Sequence, residues 1–373
     1  MRSGPLPIAV AALGWNRPTF VAALLTAMLA TTALAATHGT ARAAETDEQA
    51  FRDITTRVVA GFATEATSRF RTQATRLGAE TTSACADDHP PAEALRGVFR
   101  DLAAAWGQLS VARFGPVIED SRLDKLAFWP DPRGVIRRQI GQMASTLPSG
   151  SADAATWIAA QSAAVQGLPA YDIVTFGDAE VRSCRSARVV AANIERLAAA
   201  IADGFAEPSR LAMANPKPDS PVYHAYRDSV AEIFRALSTQ TELLRVTMII
   251  APLGNSAAET KPNRLFLHNA PATKSYLLGA VDGLQGVLDA MRLDTVLTGD
   301  LRGLPAKARA ELQTARQMIE QLPVDLSAHL AEEETWNRLA AIDLALQRFG
   351  RVVNVGMAPA LGFQAGFNAL DGD

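Results

Sequence analysis

Apolar side chains recur at helical spacing along most of this chain. Phe51, Ile54, Val58, Phe62, Phe70 and Leu77 line one stripe, with Arg52, Asp53 and Glu65 between them. Tyr226, Val230, Ile233, Leu237, Leu244 and Met248 form a second, and Trp336, Leu339, Leu346, Phe349 and Val353 a third. Such steps of three, four or seven put one face of a helix against a core. No sustained run alternates with period two between turn signals, so the pattern predicts an all-α fold of bundled helices.

Proline and glycine punctuate the pattern. The stretch from Ala214 to Pro221 carries Pro216, Pro218 and Pro221 and cannot continue a helix. It divides the chain into an N-terminal helical bundle over 45–213, a linker over 214–221 and a C-terminal helical bundle over 222–373. Both are expected to be of four-helix-bundle type with a site at their interface. Asp219 or Ser220 is placed to cap the helix after the linker, with Pro221 in its first turn. Further breaks fall at 87–91, 129–132 and 147–151, after which Ser151 or Asp153 is placed to cap a helix ending near Asp172.

The first 44 residues read differently. Arg2 and Arg17 precede an apolar run from Phe20 to Leu34, followed by small-residue sites between Ala35 and Ala44, the layout of a secretory signal. Export to the periplasm follows, with a chain that is soluble after cleavage. The formal net charge is −3; without Arg2, Arg17 and Arg42 it is −6, which argues against nucleic acid or anionic lipid as a general partner. No later apolar stretch reaches the ~20 residues of a membrane span. Cys85 and Cys184 are the only cysteines, and in an oxidising compartment an isolated pair reads as a disulfide closing a loop of about a hundred residues.

Candidate chemistry is sparse. Arg113, Arg133, Arg137 and Arg138 are suited to present guanidinium forks to a carboxylate or phosphate, or to pair with Asp131 and Glu119. Trp129 is either a ligand platform or a plug over a bundle end. Asp172 is a lone ligand or the ion-pair partner of one of these arginines, the pairing avoiding an uncompensated carboxylate. His224 and Asp228 stand four apart as an ion pair, and His329 with Glu332 or Glu333 has the offset of a two-ligand set or of a solvated helix start. His89 sits in a Pro-rich turn, and His268 has no carboxylate three or four residues away. Asn368, Asp371 and Asp373 gather oxygens at the chain end, as a hard-cation site or as turn chemistry. The chain lacks a Gly-x-Ser-x-Gly elbow, a phosphate-binding loop, Cys-x-x-Cys and the Cys-x-x-Cys-His of covalent haem.

Three separated stretches carry a family resemblance. They are Arg113-Phe114-Gly115-Pro116 with Phe128-Trp129-Pro130-Asp131-Pro132-Arg133-Gly134, then Gly167 to Asp172 with Cys184 after it, then Gly366-Phe367-Asn368-Ala369-Leu370-Asp371-Gly372-Asp373. Over nearly the whole length after the signal, the chain resembles the imelysin family of exported bacterial proteins. The resemblance implies two helical bundles with a site between them and a role associated with iron uptake. Members with an intact Gly-x-His-x-x-Glu motif are regarded as metallopeptidases, since imidazole and carboxylate one turn apart can share an ion. Here Gly167 is kept, Pro169 stands in the His slot and Asp172 in the Glu slot. Proline has no donor atom and predicts a kink. The expected ligand-binding set is therefore Arg113, Trp129, Arg133, Asp172, Asn368 and Asp371, in a protein that is not a peptidase and that meets iron-uptake components of the cell envelope. The cofactor stays open between none and iron or another divalent metal. The alternatives are a metal-dependent peptidase recruiting Asp172, His329 and the acidic terminus, and a structural interaction module with a filled seam.

Overall fold

In the computed structural model, residues 47–86 and 92–364 are described. The stretch 1–44 expected to be a signal, His89 and the terminal block with Asn368 and Asp371 lie outside the described residues. Beyond a helical segment over 47–63 that leads into the first of them, the main α-helices are α1 (Thr64–Ala84), α2 (Ala92–Leu109), α3 (Arg122–Leu126), α4 (Val135–Thr146), α5 (Ser151–Ala159), α6 (Leu168–Phe176), α7 (Cys184–Phe205), α8 (Tyr226–Glu242), α9 (Thr273–Met291), α10 (Leu304–Glu320), α11 (Leu326–His329) and α12 (Glu333–Arg351). Among the described residues there is no strand. The all-α expectation holds.

The three apolar stripes become the core. Phe51, Ile54, Val58, Phe62, Phe70 and Leu77 are buried, as are Val230, Ile233, Leu237, Leu339, Leu346 and Phe349. Their burial supplies the helix stability that propensity alone leaves marginal. α1 packs on α2 and α7, α10 packs on α12, and α9 lies against both α2 and α10. Residues from Ala50 onward form one compact unit, with buried side chains from both sides of the Pro-rich segment in one continuous cluster.

Where α2 crosses α9, backbone meets backbone. A Cβ added to Gly279 would lie 1.9 Å from the Ala104 carbonyl oxygen, and one on Gly283 would lie 2.5 Å from that of Gln108. From the other side, a Cβ on Gly107 would fall 2.4 Å from the Tyr276 oxygen. These atoms belong to main chain and cannot swing aside. Gly279→Ala is therefore expected to destabilise the protein by about 1–3 kcal/mol through overpacking. Gly97→Ala, where nothing lies within 4 Å of the new Cβ, should instead stabilise by up to about 1 kcal/mol. Urea midpoints of the two variants measure this, and equal midpoints would remove the close-approach explanation.

The linker closes through turns. Ser220 Oγ accepts from the Val222 and Tyr223 N–H groups, and the following helix begins only at Tyr226. Asp228 reaches back to accept from the backbone N–H of His224 at 2.7 Å and of Ala225 at 3.2 Å. This corrects two expectations. Neither Asp219 nor Ser220 caps α8, and Asp228 takes the His224 backbone rather than pairing with its imidazole, because free N–H groups at a helix start compete for the nearest carboxylate. The predicted disulfide is present: Cys85, just past α1, is bonded to Cys184, the first residue of α7, with Cα atoms 5.4 Å apart.

Candidate functional site at the α6 start

Gly167 precedes α6 in an extended conformation, and a Cβ there would lie 2.3 Å from the carbonyl oxygens of Lys125 and Leu126. Only glycine lets α6 begin this close to the end of α3. Pro169 falls in the first turn, where its missing N–H has no intrahelical partner to lose. The expected kink is therefore absent. Nor does one helix run from Ser151 to Asp172: α5 ends at Ala159, and α6 starts afresh at Leu168 and continues to Phe176.

Asp172 lies on α6 with 2% of its surface exposed. Its Oδ1 accepts from the Ala270 N–H at 2.8 Å, and its Oδ2 from the Asn269 side-chain amide at 2.7 Å and the Asn269 N–H at 3.2 Å. The expected arginine partner is replaced by an amide and two backbone donors. Burial pushes the Asp172 carboxyl above its ordinary range, opposed by the Asn269 hydrogen bonds and by His268 nearby. Loop 265–270 is thus the part of the site that sequence reasoning missed. Its separation from Asp172 by almost a hundred positions left no periodic signal, and only the Asn269-Ala270-Pro271 turn chemistry marked it. Within that loop Leu267 takes a left-handed φ of 57°, a conformation such residues rarely adopt. The bonds to Asp172 hold the loop in this conformation. Beside Asp172, the Tyr171 hydroxyl shares a 2.6 Å hydrogen bond with Thr81 Oγ1, and burial raises its pKa to about 12.

Arg113 follows α2 on the turn before Phe114, and its guanidinium is mostly buried. Burial lowers its pKa, countered by Tyr276 and Asp124. Among the described residues no carboxylate comes within ion-pair distance of it. Around Tyr276, Gln240 Nε2 donates to Ser110 Oγ at 3.1 Å and approaches the tyrosine oxygen at 3.5 Å, while Gln240 Oε1 is buried without a partner. Phe266 stacks edge-on against Tyr276 with centroids 4.7 Å apart, and Trp129 packs edge-on against Phe266 at 5.8 Å. The indole Nε1 of Trp129 is buried with no hydrogen-bond partner. A guanidinium without an ion-pair partner among the described residues and an indole N–H without an acceptor meet one aromatic row there.

The other candidates are placed elsewhere. Arg133 and Arg138 are exposed, and Arg137 pairs with Asp178 at 2.7 Å. Asp131 accepts from Val135 N and Ile136 N, both at 2.8 Å, so it caps α4 instead of pairing with an arginine. Glu119 pairs with Arg122 at 3.2 Å. His329 Nδ1 lies 2.9 Å from Glu332 Oε1 in an exposed pair between α11 and α12.

The family model for imelysin, peptidase M75, matches residues 58–350. The chain belongs to the imelysin family. Its fold is similar to the crystal structure of an imelysin-like protein from Psychrobacter arcticum 273-4, with a TM-score of 0.71 and 18% identity over 86% of this chain and 98% of that one. It is also similar to the structure of a precursor designated iron-regulated protein A from Parabacteroides distasonis ATCC 8503, with a TM-score of 0.55 and 12% identity over 83% and 95% of the two chains. No curated protein matches the sequence. Against the ion site implied by an imelysin Gly-x-His-x-x-Glu motif, the residues here do not fit: Pro169 offers no donor atom, and both oxygens of Asp172 already accept N–H groups. Among the described residues, no group of three His, Cys, Asp or Glu side chains is placed to share an ion. No helix among them is long and apolar enough to cross a membrane.

Proposed function

We propose that this imelysin-family chain is exported to the periplasm, serves iron acquisition, and binds an anionic ligand through Arg113 between two bundles, 45–213 and 222–373, without hydrolysing peptides. The mostly buried guanidinium of Arg113, with no carboxylate within ion-pair distance among the described residues, carries this reading. A charge taken out of water costs several kcal/mol unless it is paired, and a ligand carboxylate presents the matching fork. Trp129 Nε1 supplies a further donor on an apolar platform. Asp172 supports the non-peptidase side, because a general base or metal ligand needs a free lone pair directed at the reacting centre. The iron association rests on the family and on the iron-regulated designation of the Parabacteroides relative.

Ferric citrate is a suitable probe, being an iron chelate rich in carboxylates. The expected result is saturable binding to the signal-free protein, weakened at least tenfold by Arg113→Gln, since a charged hydrogen bond is worth about 1.5–3 kcal/mol. Metal-dependent peptide cleavage that Asp172→Asn abolishes in a folded variant would refute this reading. Binding that is indifferent to Arg113 would refute the assigned role of that residue.

A further inference from the structure

A second basic constellation lies on α7, and the seam site makes no use of it. Arg185, Arg188, Ala192 and Arg196 fall at steps of three and four and so share one face of the helix. Opposite that face α5 presents Ala154, Ala155 and Ile158, with Pro148 to Gly150 at one end. Because Ala154, Ala155 and Ala192 are all small, the two helices leave between them a half-open cavity of about 480 Å³. That volume is typical of small-molecule sites. Its floor is aliphatic, from Ile158, Val189 and the alanines, while among the described residues its charged groups are guanidinium only.

Arg185 and Arg196 are each held in place by an uncharged acceptor, and Arg188 by a backbone carbonyl among its partners. Arg185 donates to the Leu147 carbonyl at 2.5 Å, and Arg188 to that of Cys85 at 2.5 Å. Arg196 donates twice to Asn193 Oδ1, at 2.8 and 3.2 Å. Asn193 is itself buried and anchored by its amide to the Gln166 carbonyl at 2.9 Å. A guanidinium carries five N–H donors, so these bonds fix the forks of Arg185 and Arg196 while leaving donors for a ligand. Among the described residues neither Arg185 nor Arg196 has a carboxylate within ion-pair distance. Glu195, the acid adjacent to Arg196, turns instead over Gly78 of α1, where an added Cβ would lie 2.8 Å from its Oε2. Arg196 also feels the like charge of Arg122, so an anion there would relieve repulsion as well as fill space.

We infer that the α5/α7 cavity binds a small organic carboxylate with an apolar body. The head group sits on the guanidinium face and the body on the alanine and isoleucine floor. Positive charge from Arg185 and Arg196 selects an anion, and the aliphatic floor selects against a purely ionic one.

Calorimetric titration of the signal-free protein with octanoate, and with 1-octanol as the uncharged match, tests this. Octanoate is expected to bind saturably and 1-octanol at least tenfold more weakly. The double variant Arg185→Gln/Arg196→Gln should weaken octanoate at least tenfold, and Ala192→Leu, which fills the cavity without touching charge, should abolish binding. Both changes lie at exposed positions, and far-UV circular dichroism checks that the variants are folded. Absence of octanoate binding, equal affinity for the alcohol, binding unchanged in either variant, or loss on Arg113→Gln instead would each overturn the assignment.

Discussion

Asp172→Ala should lower the unfolding free energy by about 3–5 kcal/mol at neutral pH, with the loss visible as a large drop in urea midpoint. The variant strands the Asn269 N–H, the Asn269 amide and the Ala270 N–H inside the protein with no acceptor, and unsatisfied buried groups cost about 1–3 kcal/mol apiece without adding fully. Asp172→Asn should cost less, since one acceptor oxygen survives, although its own amide now faces donors. A loss below about 1 kcal/mol in the alanine variant would mean that loop 265–270 does not depend on this carboxylate.

The same residue sets a pH dependence. In the unfolded chain its carboxyl titrates near pH ~4, whereas burial raises it in the fold. Between those two values the folded form holds a proton that the unfolded form has lost. The contribution of this group is thus most favourable below about pH 4 and declines as the pH rises through the folded value. Measured against the non-titrating Asp172→Asn variant, the wild type should gain relative stability on acidification across that window. A relative loss there would reverse the assigned direction.

Removing the Cys85–Cys184 bond is the second large effect expected. The bond spans a sequence separation of 99 residues, for which loop-closure entropy predicts about 4–5 kcal/mol of stabilisation. Unfolding of the oxidised protein, of the reduced protein and of a Cys85→Ser/Cys184→Ser variant should separate by that amount. If reduction changes the midpoint by less than about 1 kcal/mol, α1 and α7 must already be held together in the denatured chain.

The helices were legible in the sequence because each buries a stripe, and a stripe leaves a period. Phe51 to Leu77 and Val230 to Met248 needed nothing more. The disulfide was legible because two cysteines allow one pairing. The surroundings of Asp172 were not, because its partners Asn269 and Ala270 come from a turn with no repeat. Pro169 makes no kink because α6 starts there, which no apolar period reveals; the close approach of Gly167 to Leu126 determines that start. Arg113 and Trp129 stand out in the sequence as residue types, and only packing shows that the Trp129 indole N–H is buried without a partner and that, among the described residues, Arg113 has no carboxylate within ion-pair distance.

The glycine crossing of α2 and α9 bears on how the protein responds to whatever it binds. Two helices locked main chain to main chain can neither slide nor open at that line without separating first, so the frame behind Arg113 acts as a fixed anvil. A visitor meets donors already aimed, and any yielding must come from segments such as loop 265–270. Affinity there would owe little to domain closure, and the free and loaded proteins should give nearly superimposable scattering curves.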